Sequence, residues 1–186
     1  MTKRYWQYLA DAFRQIPETV AHDSPEVDLP GELYVVPSHE KALDPENIVV
    51  VGDRGTGKSF WSAALTTQSA RGLIDHEFRR LQVKNLIVRW GFGTGRGTED
   101  YPSKNTLQNL LENYRAEEIW RAVLLRHVVA YLEESIPSSD WGERARFVRT
   151  DPEAEEQLLV RADRALRNNG QQLLIVFDAL ERLGDD

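Results

Sequence analysis

The sequence predicts an α/β fold with a mainly parallel sheet. Three observations predict it. Short runs rich in β-branched and aliphatic residues stand at 47–51, 85–90 and 173–177, each too short for a helix and apolar enough for a strand buried on both faces. Segments with apolar residues at helical spacing separate these runs, and strands that alternate with helices build parallel sheets. Capping residues and glycines punctuate the helical segments where they should begin and end.

Taken in order, Tyr5, Leu9, Phe13 and Ile16 recur at helical spacing until Pro17 ends the pattern, which predicts a short amphipathic helix. Residues 17–46 are rich in proline and acid, with a strand-like piece only at 32–36. The run Ile48, Val49, Val50, Val51 is bounded by Pro45 and Gly52 and reads as the first buried strand, followed by a helix from Gly57 to about Ala70. Leu86, Ile87 and Val88 centre the second strand, and the glycines from Gly91 to Gly97 predict a flexible loop after it. A long helical pattern covers 103–136, with a break near Arg115, and Pro137 to Asp140 closes it. The next helix opens at Thr150-Asp151-Pro152-Glu153, where a capping aspartate, an early proline and an acid suit the positive end of the helix dipole. It stops at Asn168-Asn169-Gly170. The third strand, Leu173 to Phe177, ends in Asp178. Residues 1–46 are thus expected as a helix and irregular lead-in, and 47–186 as the main domain.

Composition narrows the class. The chain has 186 residues, enough for one domain with a sizeable core. Hydrophobic residues make up 41% and charged residues 28%, which suits a folded globular protein. The net charge of -7 speaks against nucleic-acid binding over the whole surface, leaving only a local basic groove. Cysteine is absent, which excludes disulfides, thiolate zinc sites and cysteine nucleophiles. No stretch reaches the roughly 20 apolar residues that span a bilayer, and the N-terminus lacks the features of a signal peptide. No membrane partner and a cytoplasmic location are the expectation.

The chemistry concentrates in Gly52-Asp53-Arg54-Gly55-Thr56-Gly57-Lys58-Ser59, which matches G-x-x-x-x-G-K-[ST] at every fixed position. Glycines let backbone N–H groups turn inward around an anion, and the helix N-terminus adds partial positive charge. Average residue frequencies give such a match by accident in roughly one chain in a hundred of this length. Its position between an expected strand and an expected helix makes accident a poorer explanation still. The loop, extended by Phe60 as the next helical residue, is therefore the expected binding site for the phosphates of a nucleoside triphosphate, with ATP and Mg²⁺ as the expected ligands. Lys58 would reach the β- and γ-phosphates, and Ser59 would place its hydroxyl on Mg²⁺.

A magnesium nucleotide also needs a carboxylate, normally at the end of a neighbouring buried strand. Asp178 stands there and is the candidate for the metal's outer ligand, through water. Standing alone it would more simply cap the next turn. Hydrolysis requires a group that orients or deprotonates water. Ala179 follows Asp178 directly, so the adjacent position carries no carboxylate; Glu181, three residues on, would lie on the same side of a helical turn and is the catalytic candidate. A solvated Glu181 paired with Arg182 is the plainer alternative.

Gly52 to Ser59, taken with Phe177-Asp178-Ala179-Leu180-Glu181-Arg182, resembles the AAA-like and STAND group of P-loop ATPases, whose two motifs are called Walker A and Walker B. The resemblance spans Ile48 to Leu183, but its specific motifs occupy two short pieces. It implies a three-layer P-loop NTPase sandwich with an additional central strand, working as an ATP-driven switch or motor. It carries roles to Lys58, Ser59, Asp178 and Glu181. In such proteins a strand after Walker B inserts centrally, and later segments bring an arginine finger and a lid. The resemblance therefore implies that the sequence is an N-terminal fragment, incomplete at the C-terminus, because three strands without the central one leave ladder groups and an apolar face unpaired. A protein partner or self-association in the full-length protein is compatible with it.

Other signals weigh less. The glycines at 91, 93, 95 and 97 lack G-x-G-x-x-G spacing, and Arg96 is only a weak candidate for a phosphate contact. His22, His39, His76 and His127 have no metal-ligand spacing. Arg144, Arg146 and Arg149, with Arg161, Arg164 and Arg167, read more simply as a solvated face balanced by Glu153, Glu155 and Glu156 than as a nucleic-acid surface. Trp61 and Trp141 are candidates for a partner surface. A nucleotide-gated binding module with little or no hydrolysis is the competing function. A small-molecule kinase also stays open. A GTPase is disfavoured, because the Asp178 segment is not D-x-x-G and no N-K-x-D stands in the chain.

Overall fold

The sheet has two parallel strands, β1 (Leu86–Phe92) and β2 (Gln172–Phe177), in register from Leu86 opposite Gln172 to Trp90 opposite Val176. A computed structural model describes residues 35–53, 55–93, 99–134 and 140–180. Among these the helices are α1 (His39–Leu43), α2 (Lys58–Thr66), α3 (Gln68–Glu77), α4 (Lys104–Leu111), α5 (Ala116–Tyr131), α6 (Trp141–Thr150) and α7 (Pro152–Asn168), with a 3-10 turn at Val83–Asn85. The fold is thus α/β with a small parallel sheet, as expected at that level.

Register slips after Trp90, because Phe92 pairs with Phe177 and Gly91 is the extra residue. A β-bulge of this kind favours glycine where another chain segment crowds the backbone. Here a Cβ at Gly91 would lie 2.6 Å from the Phe177 ring and 2.7 Å from Ile175. Gly91 therefore belongs to the strand, not to the loop the glycine repeat suggested, and residues 94–98 lie outside the described set.

Two apolar clusters hold the sheet. Leu86 and Val88 pack with Leu174 and Val176 against Leu65 of α2, Ile74 of α3 and Val83. Phe92 and Phe177 pack against Leu107 and Leu110 of α4 and Ile119 and Val123 of α5. Helix α5 continues into a third cluster, in which Ala122, Leu125 and Val129 meet Ala145 and Val148 of α6.

Local chemistry explains most helix limits. Ser103 accepts from the Thr106 amide to start α4, Asp140 accepts from Glu143 to start α6, and Asp151 accepts from Ala154 to start α7. The break near Arg115 is real: α4 ends at Leu111, and Glu118 reaches back to the Arg115 amide to begin α5. After α7, Gly170 takes φ 62°, the left-handed turn that ends many helices.

Four expectations are corrected. Residues 47–51 form no strand: Ile48 is 97% exposed, Val51 90%, Val49 74% and Val50 46%. Their β-branched composition fits a strand, but a strand needs a ladder partner, and among the described residues β1 and β2 pair only with each other. Val35 and Val36 are also not strand; Leu33 and Tyr34 lie outside the described residues, as does the helix expected at 5–16. The helix expected from Gly57 to Ala70 is two helices, because Thr67 turns extended (ψ 134°) while the Thr66 and Thr67 hydroxyls donate to the Ala63 and Ala64 carbonyls. Finally, residues 141–150, where the sequence predicts no element, form the helix α6.

Candidate functional site

The glycine loop sits at the N-terminus of α2 and faces solvent, with Gly52, Asp53, Gly55, Thr56 and Ser59 exposed. Gly55 takes φ 85° and Gly57 φ 84°, the left-handed region that costs a side chain but not glycine. Gly52 is constrained differently: a Cβ there would meet the Thr56 hydroxyl at 2.8 Å. The Asp53 carbonyl accepts from the Thr56 amide at 3.3 Å and from its hydroxyl at 2.8 Å, which fixes the turn. The Gly57 carbonyl takes the first helical bond, from the Trp61 amide at 3.0 Å, and no side chain caps α2. A helix start without a side-chain cap keeps amide donors aimed at its mouth.

Lys58 folds back over the loop. Its ammonium donates to the Gly52 carbonyl at 2.6 Å and to the Asp53 carbonyl at 3.0 Å. The cation therefore stands over the loop mouth, held by carbonyls that an anion would compete with. Phe60 and Trp61 anchor the other side of the helix start, their rings meeting edge to face at 5.5 Å. Trp61 also meets His39 of α1 at 4.6 Å and packs on the cluster around Leu65 and Ile74. Trp61 thus supports the loop helix through this packing.

Asp178 follows β2 directly, is half-buried, and its amide donates to the Phe92 carbonyl at 3.0 Å. That bond carries the sheet pairing one residue past β2 and sets the carboxylate at the strand's C-terminal end. Ala179 is buried and takes φ 59°. Arg54, Arg96 and Glu181 lie outside the described residues. No cluster of three or more histidine, cysteine, aspartate or glutamate residues that could hold a metal occurs among the described residues.

The arginines expected on a solvated face are mostly held by acids, though not by the acids expected. Arg149 bridges to Glu118 at 2.7 Å, Arg161 to Glu134 at 2.6 Å and Arg167 to Asp163 at 3.0 Å. Arg144 is buried and lies over the Trp141 ring at 4.4 Å. Glu155 is buried as well, 1% exposed, and receives Arg121 Nε at 2.9 Å. Burial of the His127 imidazole lowers its pKa, while its Nε2 donates to the Trp90 carbonyl at 3.0 Å.

No helix among the described residues is long and apolar enough to cross a membrane. No protein-family model, no curated protein and no solved structure matches this chain.

Proposed function

We propose that the chain binds the triphosphate of MgATP in the loop from Gly52 to Ser59 and hydrolyses it. One observation carries this reading: an exposed loop with two left-handed glycines, Gly55 and Gly57, opens into the uncapped start of α2, with the Lys58 ammonium poised over it. Main-chain amides and one ammonium are the donors a polyphosphate needs, and glycine removes the Cβ atoms that would block its approach.

The roles follow from chemistry. Lys58 leaves the Gly52 and Asp53 carbonyls for the β- and γ-phosphate oxygens, where a full opposite charge outbids two carbonyl dipoles. Ser59 and Asp178 are the oxygen donors suited to Mg²⁺, which binds through few protein groups and keeps waters and phosphates as its other ligands. The metal would supply charge neutralisation of the transferring phosphoryl group. Glu181 orients the attacking water. The motif pair of the loop and Asp178 is that of an AAA-like or STAND ATPase, and the finer fold this reading implies is the three-layer P-loop sandwich. The chain then works in the cytoplasm as a nucleotide-driven switch.

A second reading, occupancy signalling with little or no turnover, is favoured by Ala179, a buried residue at the position after Asp178 where a carboxylate would otherwise stand. Isothermal titration of ATP with Mg²⁺, set beside steady-state phosphate release, separates the two. Submicromolar to micromolar affinity with turnover that Glu181→Gln stalls supports hydrolysis. Affinity without turnover supports the switch, and no triphosphate affinity in the folded chain overturns both.

A further inference from the structure

A second cationic site lies at the other end of α2. A cavity of about 650 Å³ opens there between the end of α2, the start of β1 and the turn before β2. Helix α2 has nine residues, so this cavity is about 13 Å from the glycine loop along the helix axis. Three cations line it: Arg71 from α3, Lys84 from the 3-10 turn and Arg89 from β1. On a chain of net charge -7, a group of three cations and no acid is out of keeping with the rest of the surface.

Their partners make the case. No carboxylate lies within ion-pair distance of these three side chains among the described residues. Asp75, the acid nearest to Arg71 in sequence, spends both oxygens on the Val83 and Lys84 amides at 2.6 and 2.9 Å. Arg71 Nη1 donates to the Leu65 carbonyl at 2.7 Å, which orients the guanidinium at the end of α2, but its Nε is buried without a partner among the described residues. Among the described residues Arg89 has only a long bond to its neighbour's carbonyl, Val88, at 3.3 Å. Arg71 is also depressed in pKa, first by burial and then by the charge of Arg89, so the two cations destabilise each other where they stand. An anion between them would relieve that repulsion; a neutral ligand would not.

We propose that this cavity is a second anion site, separate from the glycine loop, which binds a ligand carrying two or more phosphate groups through Arg71, Lys84 and Arg89. Guanidinium groups match phosphate oxygens in a bidentate fork, and Lys84 adds a point charge. The cavity volume exceeds what one phosphate fills, and the polar side chains of Gln68 and Asn85 supply further hydrogen bonds along its wall. The site does not depend on the loop's function.

The test uses the Lys58→Ala chain labelled with ¹⁵N, so that the glycine loop is disabled. Inorganic pyrophosphate should shift the Arg71 and Arg89 Nε–H signals and the amides of Leu86 to Arg89 in a saturable way. Adding Lys84→Gln and Arg89→Gln, both at exposed positions, should weaken that binding about ten-fold or more while the melting temperature holds. Arg71 stays in place because it caps α2. Displacement of pyrophosphate by oligothymidylate would assign the phosphates to a nucleic-acid backbone, and failure to displace it would assign them to a small oligophosphate. Absence of shifts at these residues, or equal affinity in the Gln variants, overturns the proposal.

Discussion

The Lys58 ammonium donates to the Gly52 carbonyl oxygen across 2.6 Å, so this cation of the loop is engaged by the loop itself. Both groups are at the surface, and the bond contributes little to the fold. Lys58→Ala should therefore leave the denaturation midpoint almost unchanged while weakening triphosphate binding about a hundred-fold, the order expected from losing charge-assisted bonds to two phosphates. Thermal melting and ATP titration on the same sample check both halves.

Gly91→Ala should destabilise the chain by about 1–3 kcal/mol, the usual range for overpacking. The added methyl meets the Phe177 ring and Ile175, both on β2, and neither is the free end of a flexible chain. Urea unfolding measures the loss. Because Phe177 directly precedes Asp178, the variant should also weaken the Mg²⁺ dependence of nucleotide binding.

Glu155→Ala should cost about 1–2 kcal/mol, because it removes the carboxylate that Arg121 Nε bonds, while the partly exposed guanidinium keeps water and Glu117 at 3.7 Å. Arg121 Nη2 lies 2.7 Å from Glu155 Oε2, within ion-pair range though without hydrogen-bond alignment, and Nε makes the aligned bond to Oε1. This pair joins α5 to α7. Replacing both residues together, Arg121→Met with Glu155→Leu, should recover much of the loss in a double-mutant cycle.

Stability should fall as the solution turns acid, in two windows. Burial depresses the His127 imidazole below its ordinary value of 6.5, opposed by Asp100 and the Trp90 bond and aided by Arg126 and Arg89. The unfolded chain then binds the proton first, so stability is complete above pH 6.5 and declines as pH drops below it. Glu118 is held down to about 2 by the Arg149 guanidinium and the Arg115 amide, so its contribution is present above 4.5 and lost as pH falls toward 2. Urea midpoints from about pH 8 to about pH 5 should show the first slope, and His127→Gln should flatten it.

Much of this arrangement was legible in the sequence because its signals are local. Strands β1 and β2 announce themselves as aliphatic runs, and Asp151, Pro152 and Gly170 mark α7 by capping chemistry. The glycine loop is legible for the same reason: its conformation depends on residues within one turn of each other. Pairing is not local, and so Ile48 to Val51, a strand by composition, is exposed. Helix α6 is hidden because Arg144 and Arg149 occupy positions where an amphipathic helix carries its apolar stripe, and those side chains are accommodated by Trp141 and by Tyr114 and Glu118. The cavity of Arg71, Lys84 and Arg89 draws on three elements, and no spacing rule connects them.

The bare isoleucine and valines at 48–51 have a colloidal consequence. Their main-chain donors and acceptors meet no backbone partner among the described residues, and such groups beside β-branched side chains are a template for strand addition between molecules. Concentrated samples should form oligomers rich in cross-strand pairing, and one lysine in place of Val50 should keep them dispersed.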